Sequence, residues 1–506
     1  MAESGLVASV SVIAGEPSPL ESVASSSTRP TEPRVHEPLS TSMRVASQAH
    51  VRLPHVAAPV GWSVQDAMRA TGILEDIPDA LSTEQEDTHD PLFDELYAQG
   101  TTPAVEGSVT VGAEVSQSLG QGTGFGISFG TTQSMIPLPG IPGGGLSPNE
   151  YIPLMHLYAL TQDADRFLEY HYDALRDPRV TEKQPSRRIL QGCLTPLDGS
   201  TQHTNLWYKR EDLTASRAYK LRGAFVGMGR VLQSNPHSGI LAVSTGNHAL
   251  GVLYAASLLK PKRVTIVVPH NTLEKKLASI RQRVTECQAL GVEAHVTLQG
   301  ETFDDAKRWA LQQADTEHPQ DYYLDPYGNP WVVSGQGTIG LELYRQIKHV
   351  LTTTSGIQRV SVVCPIGGGG LLAGIATAFR LATAWDSHLQ QVSVQFVGIR
   401  LEDLTASYGD AIKVKVVAAG NQRLFERFGI PIVNVTNTHL MAGMLGVYLD
   451  LGDQVEGSSG VTHQVTMSRS ELLPTADHLV VCILSGGNVG QFPCETPLTE
   501  APSFTK

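Results

Sequence analysis

The segment Ala218-Tyr219-Lys220-Leu221-Arg222-Gly223-Ala224 lies between two stretches whose patterning sets the fold class. Upstream, Lys209-Arg210-Glu211-Asp212-Leu213 ends a strand that begins at Asn205. Downstream, apolar β-rich runs alternate with longer amphipathic stretches. Residues 239–243, 263–268, 292–297 and 360–364 read as strands, and 248–259, 273–290, 303–314, 337–350 and 371–384 as helices. This alternation predicts an α/β fold of parallel sheets covered by helices, in which ligands sit at the carboxyl ends of strands. Two turns fall at such ends: Ser244-Thr245-Gly246-Asn247-His248 and Gly367-Gly368-Gly369-Gly370-Leu371. A third, Leu484-Ser485-Gly486-Gly487-Asn488-Val489, follows the apolar run 479–484.

Each segment has a chemistry suited to its residue types. Successive glycines lack Cβ atoms, so Gly367, Gly368, Gly369 and Gly370 can turn their N–H groups toward one phosphate, assisted by the following helix dipole. Backbone N–H groups at the helix start after Gly246 favour an anion, and the Asn247 amide can hydrogen-bond a hydroxyl. The Lys220 amine can attack an aldehyde and, once freed, remove a proton. Taken singly, Lys220 reads as a solvated helix lysine, Asn247 and His248 as caps, the glycines as a tight turn and Ser485 as a cap. Their occurrence together, in this order, favours a site.

The ordered set resembles the threonine dehydratase branch of the fold type II pyridoxal-phosphate enzymes, which also contains serine dehydratases and serine racemases. The resemblance covers residues 188–490 and includes Ser334-Gly335-Gln336-Gly337-Thr338, Asp410-Ala411-Ile412-Lys413-Val414-Lys415 and Val455-Glu456-Gly457-Ser458-Ser459-Gly460. It implies a two-lobed enzyme with pyridoxal 5'-phosphate on Lys220 as a Schiff base. The large cofactor lobe would be 186–220 and 336–490; the small lobe, 221–335, would close over an amino acid and exclude water. By the same resemblance Asn247 faces the cofactor's ring hydroxyl, and Gly367, Gly368, Gly369, Gly370 and Leu371 hold its phosphate. Ser485 faces the ring nitrogen, where a neutral hydroxyl leaves the ring a weaker electron sink than an aspartate would and favours β-elimination. Ser244, Thr245, Gly246, Asn247 and His248 would bind the substrate. Lys220 would remove the α-proton, with Thr245 on the opposite face as a second candidate catalytic residue.

Four departures stand out. Ala218 replaces the family's serine and Tyr219 its phenylalanine; the flank of Glu456 is altered; and Arg400 stands where the family has an acidic residue. Arg400 puts any inherited metal contact in doubt, so no metal is expected.

The 506 residues suffice for two or three folding units, and the net charge of -13 argues against a non-specific grip on nucleic acid or an anionic membrane. A small amino-acid substrate fits better, and the resemblance implies a homo-oligomer. The five cysteines lack paired spacing, which suggests neither a zinc site nor a disulfide framework and points to a reducing interior. No apolar run approaches the ~20 residues that cross a bilayer, and Met1-Ala2-Glu3-Ser4 does not open a secretory signal. A cytoplasmic setting is expected, with the mitochondrion as second choice because arginines in the first sixty residues are mixed with glutamates.

Residues 1–150 read as a mostly disordered or low-complexity extension: a Ser-, Pro-, Ala- and Glu-rich start, a short helix at 64–74, and a Gly-, Ser- and Thr-dense linker at 107–145. The 120–126 run looks like a dinucleotide loop, but no strand precedes it and no helix follows. A helical lead-in at 151–185 and a tail at 491–506 complete the organisation. The expected reaction is that of an L-threonine ammonia-lyase, L-serine being a further substrate, giving 2-oxobutanoate and ammonia as in isoleucine biosynthesis. Because the chain ends soon after Val489, no regulatory domain or isoleucine feedback is expected. Thr245 keeps open a serine racemase or hydroxyaspartate dehydratase. Ala218, Arg400 and the Glu456 flank keep open a catalytically silent metabolite-binding descendant.

Overall fold

In the computed structural model, residues 148–182, 187–316, 318–384, 386–405 and 408–493 are described. The expectations for the extension, its 64–74 helix, its 107–145 linker and nearly all of the tail lie outside the described residues. The strands are β1 (Arg188–Ile189), β2 (Leu197–Gly199), β3 (Leu206–Arg210), β4 (Gly239–Val243), β5 (Arg263–Val268), β6 (Glu293–Leu298), β7 (Asp321–Tyr323), β8 (Arg359–Pro365), β9 (Ser393–Leu401), β10 (Ile432–Val435) and β11 (His478–Leu484). They build a seven-stranded sheet in the order β1-β2-β3-β11-β8-β9-β10 and a four-stranded sheet in the order β6-β5-β4-β7.

The four-stranded sheet is wholly parallel, as is the larger one from β3 to β10. β1, β2 and β3 depart from the parallel expectation and pair antiparallel. Their connections, residues 190–196 and 200–205, are too short for the crossover that parallel neighbours need. β11, last in sequence, inserts between β3 and β8, with Leu484 opposite Arg210 and Cys482 opposite Val363. That order brings the carboxyl ends of three sequence-distant strands together.

A second departure concerns the helix read as 337–350, which runs Pro330–Thr353. Asn329 caps it by accepting from the Trp331 and Val332 amides at 3.0 and 3.2 Å, and Pro330 occupies its first turn. Its glycines look like helix breakers, yet they mark close helix packing. A Cβ on Gly335 would lie 2.7 Å from the Gly223 Cα, and one on Gly337 2.9 Å from the Thr161 side chain. Tertiary contact overrides propensity here.

The helical lead-in is observed as Pro148–Glu169 followed by the short Tyr172–Leu175 and Arg179–Glu182 turns. Leu154 joins the core around the large sheet, whereas Leu168 joins the core under the small one.

Beneath the helix Lys220–Ser234 lies a fully buried ion network. The Arg222 guanidinium donates to Glu211 at 2.8 and 2.9 Å and to Glu342 at 2.7 and 2.9 Å. Lys209 also donates to Glu342 and, at 2.8 Å, to the Thr195 carbonyl. Two cations and two carboxylates balance, which is the condition under which buried charge is tolerated. Burial opposes ionisation of Glu342, but Arg222 and Lys209 outweigh it and hold the carboxyl well below the usual range.

Candidate active site

A cavity of about 530 Å³ is lined by Lys220, Ser244, Thr245, Gly246, Asn247, His248, Gly367 and Gly368, together with Tyr219, Tyr327, Glu456 and Asn488. Lys220 is the first residue of its helix, and the turn before it is stitched to the end of β11. The Tyr219 amide donates to the Ser485 carbonyl at 3.0 Å, and Ala218 forms an antiparallel bridge with Gly486. The Lys220 Nζ donates to the Pro326 carbonyl at 2.6 Å and stands 4.9 Å from the Tyr327 ring and 5.2 Å from the Tyr219 ring. Burial lowers its pKa to about 8, against the opposing pull of Asp325. A lysine so placed has free amine available near neutral pH.

Ser244-Thr245-Gly246 joins β4 to the helix Asn247–Leu259, whose first turn lines the cavity and has free N–H groups as any helix start does. The Ser244 hydroxyl accepts from the Gly246 amide at 3.2 Å, whereas the Thr245 hydroxyl has no hydrogen bond to a described residue. Asn247 is fixed from three sides. Its amide nitrogen donates to both Glu456 oxygens at 2.8 and 3.0 Å, and its oxygen accepts from the Asn488 side chain at 2.9 Å. The Asn488 backbone amide donates to the same Glu456 at 3.0 Å. The small sheet's turn is thereby clasped by loops of the large sheet. His248 is buried and bonded through Nε2 to the Leu324 carbonyl at 3.0 Å; burial and the Lys220 charge push it down to about 3, so it stays neutral.

The glycine turn follows β8 and leads into the helix Gly370–Thr383. Gly367 and Gly368 reach the cavity, while Gly369 and Gly370 pack behind it and Leu371 belongs to the apolar core. Gly369 takes φ +91°, and a Cβ on Gly368 would lie 2.3 Å from the Tyr327 ring, so side chains are excluded here. Ser485 is 4% exposed and also sits behind the lining, its hydroxyl 3.2 Å from that of Ser459. Arg400 donates to the Lys415 carbonyl at 2.6 Å.

Sequence reasoning missed Pro326, Tyr327 and the role of Asn488. The cue was the turn-rich run Asp325-Pro326-Tyr327-Gly328-Asn329-Pro330 after β7, in which the Asp325 carboxylate accepts from the Tyr327 and Gly328 amides at 2.9 and 2.6 Å.

Glu456 adds a pH dependence. Burial raises its pKa to about 7 despite the donors from Asn247 and Asn488. A carboxyl with a folded pKa above its unfolded value contributes stability that is present below the unfolded value and lost as pH rises through the folded one. Glu456→Gln is therefore expected to remove a decline of about 3 kcal/mol in unfolding free energy between roughly pH 4.5 and 7. Urea unfolding of cofactor-free protein across that window measures it; identical slopes in both proteins would contradict the assignment.

The donor set fits pyridoxal phosphate: an amine for its aldehyde, a side-chain-free glycine turn and helix start for its phosphate, and an oriented amide. Two α/β lobes with these groups at their strand ends define a fold type II pyridoxal-phosphate enzyme. Residues 191–486 match the family model described as pyridoxal-phosphate dependent enzyme, and the chain belongs to that family. The chain is 30% identical to a threonine dehydratase of Nicotiana attenuata over 298 residues, 56% of this chain and 45% of that protein. It is 31% identical to a mitochondrial threonine dehydratase of Schizosaccharomyces pombe over 303 residues, 56% and 46% of the two chains. The chain spans about half the length of these curated relatives. Among solved structures, the processed form of threonine deaminase isoform 2 from Solanum lycopersicum superposes with a TM-score of 0.52 at 25% identity, covering 71% of this chain and 94% of that one. No helix among the described residues is long and apolar enough to cross a membrane.

Proposed function

We propose that this enzyme is an ammonia-lyase for β-hydroxy-α-amino acids, converting L-threonine to 2-oxobutanoate and ammonia and accepting L-serine. The observation that carries this reading is the Lys220 amine, lowered to about 8, facing a cavity shared with the Asn247 turn and the glycine turn. The names of the relatives supply the substrate.

Lys220 would hold the cofactor aldehyde carbon, Gly367 and Gly368 its phosphate and Asn247 its ring hydroxyl, with Gly369, Gly370 and Ser485 supporting them from behind the lining. Bound pyridoxal phosphate delocalises the electron pair left when the α-proton departs. The Lys220 amine takes that proton. The N–H groups at the Asn247 helix start bind the substrate carboxylate. The glutamate and asparagine clasp keeps the Asn247 amide from rotating. The β C–O bond breaks and the hydroxyl leaves as water with the proton that Lys220 took; the unsaturated amine then takes up water and releases ammonia and the 2-oxo acid.

A second reading, racemisation, is favoured by Thr245, which lines the cavity and whose hydroxyl has no hydrogen bond to a described residue. Assaying oxo acid and D-serine together from L-threonine and L-serine separates the two. Oxo acid is expected to dominate; an excess of D-serine would overturn the lyase assignment.

A further inference from the structure

Arg217, three residues before Lys220, has no part in the chemistry above. Its φ is 58°, a left-handed conformation that is costly for a residue with a Cβ. The surrounding loop holds it there: its amide donates to the Thr214 carbonyl at 2.8 Å, and its carbonyl accepts from the Gly487 amide at 2.8 Å. The guanidinium lies over Gly487, where a Cβ would come within 2.6 Å of Nη2 and 3.3 Å of Nε. A strained backbone at 217 and an absent side chain at 487 thus make room for one guanidinium in the cavity wall.

Among the described residues that guanidinium lacks a partner of its own. Its Nε is buried without a hydrogen bond, and no described residue forms an ion pair with it. Asp177, which feels its charge, is held by Arg179 at 3.0 and 2.9 Å, and Asp212 is held by Arg210 at 2.9 and 2.8 Å. Elsewhere in the cavity Asp410 is paired with Lys276 at 2.6 Å and Lys413 at 3.0 Å, and Glu456 is held by Asn247 and Asn488. Lys275 also lines the cavity and reaches only the Gly490 carbonyl, at 2.6 Å. The Gly487–Gly490 side therefore presents two cations with no carboxylate of their own among the described residues. A donor buried like the Arg217 Nε is costly until an anion pairs with it, whereas Lys275 is exposed; the guanidinium fork matches a carboxylate.

The substrate's α-carboxylate already has the helix start at Asn247. We propose that Arg217 is a specificity-determining residue that binds a second anionic group, so that the preferred substrates are β-hydroxy-α-amino acids bearing a carboxylate on the β-carbon. This rests on the ammonia-lyase reading. The balance is the same: the α-proton goes to Lys220 and from it to the departing β-hydroxyl, which leaves as water, and hydrolysis returns a water to release ammonia and a 2-oxo diacid.

The test compares kcat/KM for 3-hydroxyaspartate and L-threonine in holoenzyme carrying wild-type residue 217, Arg217→Gln or Arg217→Lys, with succinate binding measured by calorimetry. The ratio of the two kcat/KM values is expected to fall about 100-fold in Arg217→Gln, the size seen when one partner of a hydrogen-bonded charge pair is truncated. Arg217→Lys recovers most of it, and succinate affinity follows the same order. Equal losses on both substrates with succinate binding unchanged would overturn the proposal and make Arg217 a support for the Lys220 turn. A wild type that consumes L-threonine but neither binds succinate nor accepts 3-hydroxyaspartate would do so too. If neither hydroxy acid reacts while succinate binds in an Arg217-dependent way, the lyase reading fails and the anion site stands.

Discussion

Lys220→Ala is expected to lose the visible absorbance of bound cofactor and to reduce oxo-acid production from L-threonine by about a thousandfold or more. The argument is positional. Among the described residues, the amine is the only lysine nitrogen within the cavity that has aromatic rings on two sides and a single backbone carbonyl as partner. Lys275 and Lys276, the other two lining lysines, are held by the Gly490 carbonyl and by Asp410. Removing Lys220 costs the fold little, since its one hydrogen bond goes to Pro326 and burial already penalises its charge. Absorbance, turnover and thermal unfolding measured on the same preparation check this. Colour and turnover surviving in a folded variant would remove Lys220 from the chemistry.

Glu342→Ala is expected to cost about 3–5 kcal/mol of stability, the penalty for leaving buried charges unpaired. Glu342 accepts from Arg222 twice, from Lys209, and from the Leu194 amide at 2.8 Å. Truncation strands two cations against one remaining carboxylate, Glu211, with no solvent to screen them. Because Arg222 lies two positions after Lys220 on one helix, turnover should fall together with stability. Urea denaturation gives the magnitude, and a loss below about 1 kcal/mol would show that the network relaxes or admits water.

Lys209-Arg210-Glu211-Asp212, read in the sequence as the end of a strand, carries much of this network. In the fold Lys209 and Glu211 join Arg222 and Glu342, while Arg210 binds Asp212, Asp198 and Asp453. These residues hold the strand beside the site, and their charge is spent on one another. The Ser334-Gly335-Gln336-Gly337 run likewise proved to be helix interior, its glycines admitting the Lys220 helix and the Gly374 region.

The sequence by itself determined the alternation of strands and helices, and the chemistry of Lys220, Asn247 and the four glycines. Those properties are written over a few neighbouring positions, as hydrophobic period, missing Cβ atoms and side-chain type. The clasp of Asn247 by Glu456 and Asn488 was decided only by tertiary structure, as were the Pro326 carbonyl facing Lys220 and the guanidinium of Arg217 lying over Gly487. Asn247 and Glu456 are 209 positions apart in the chain. They meet because β11 inserts between β3 and β8, a sheet order set by the packing of whole layers and absent from any local pattern.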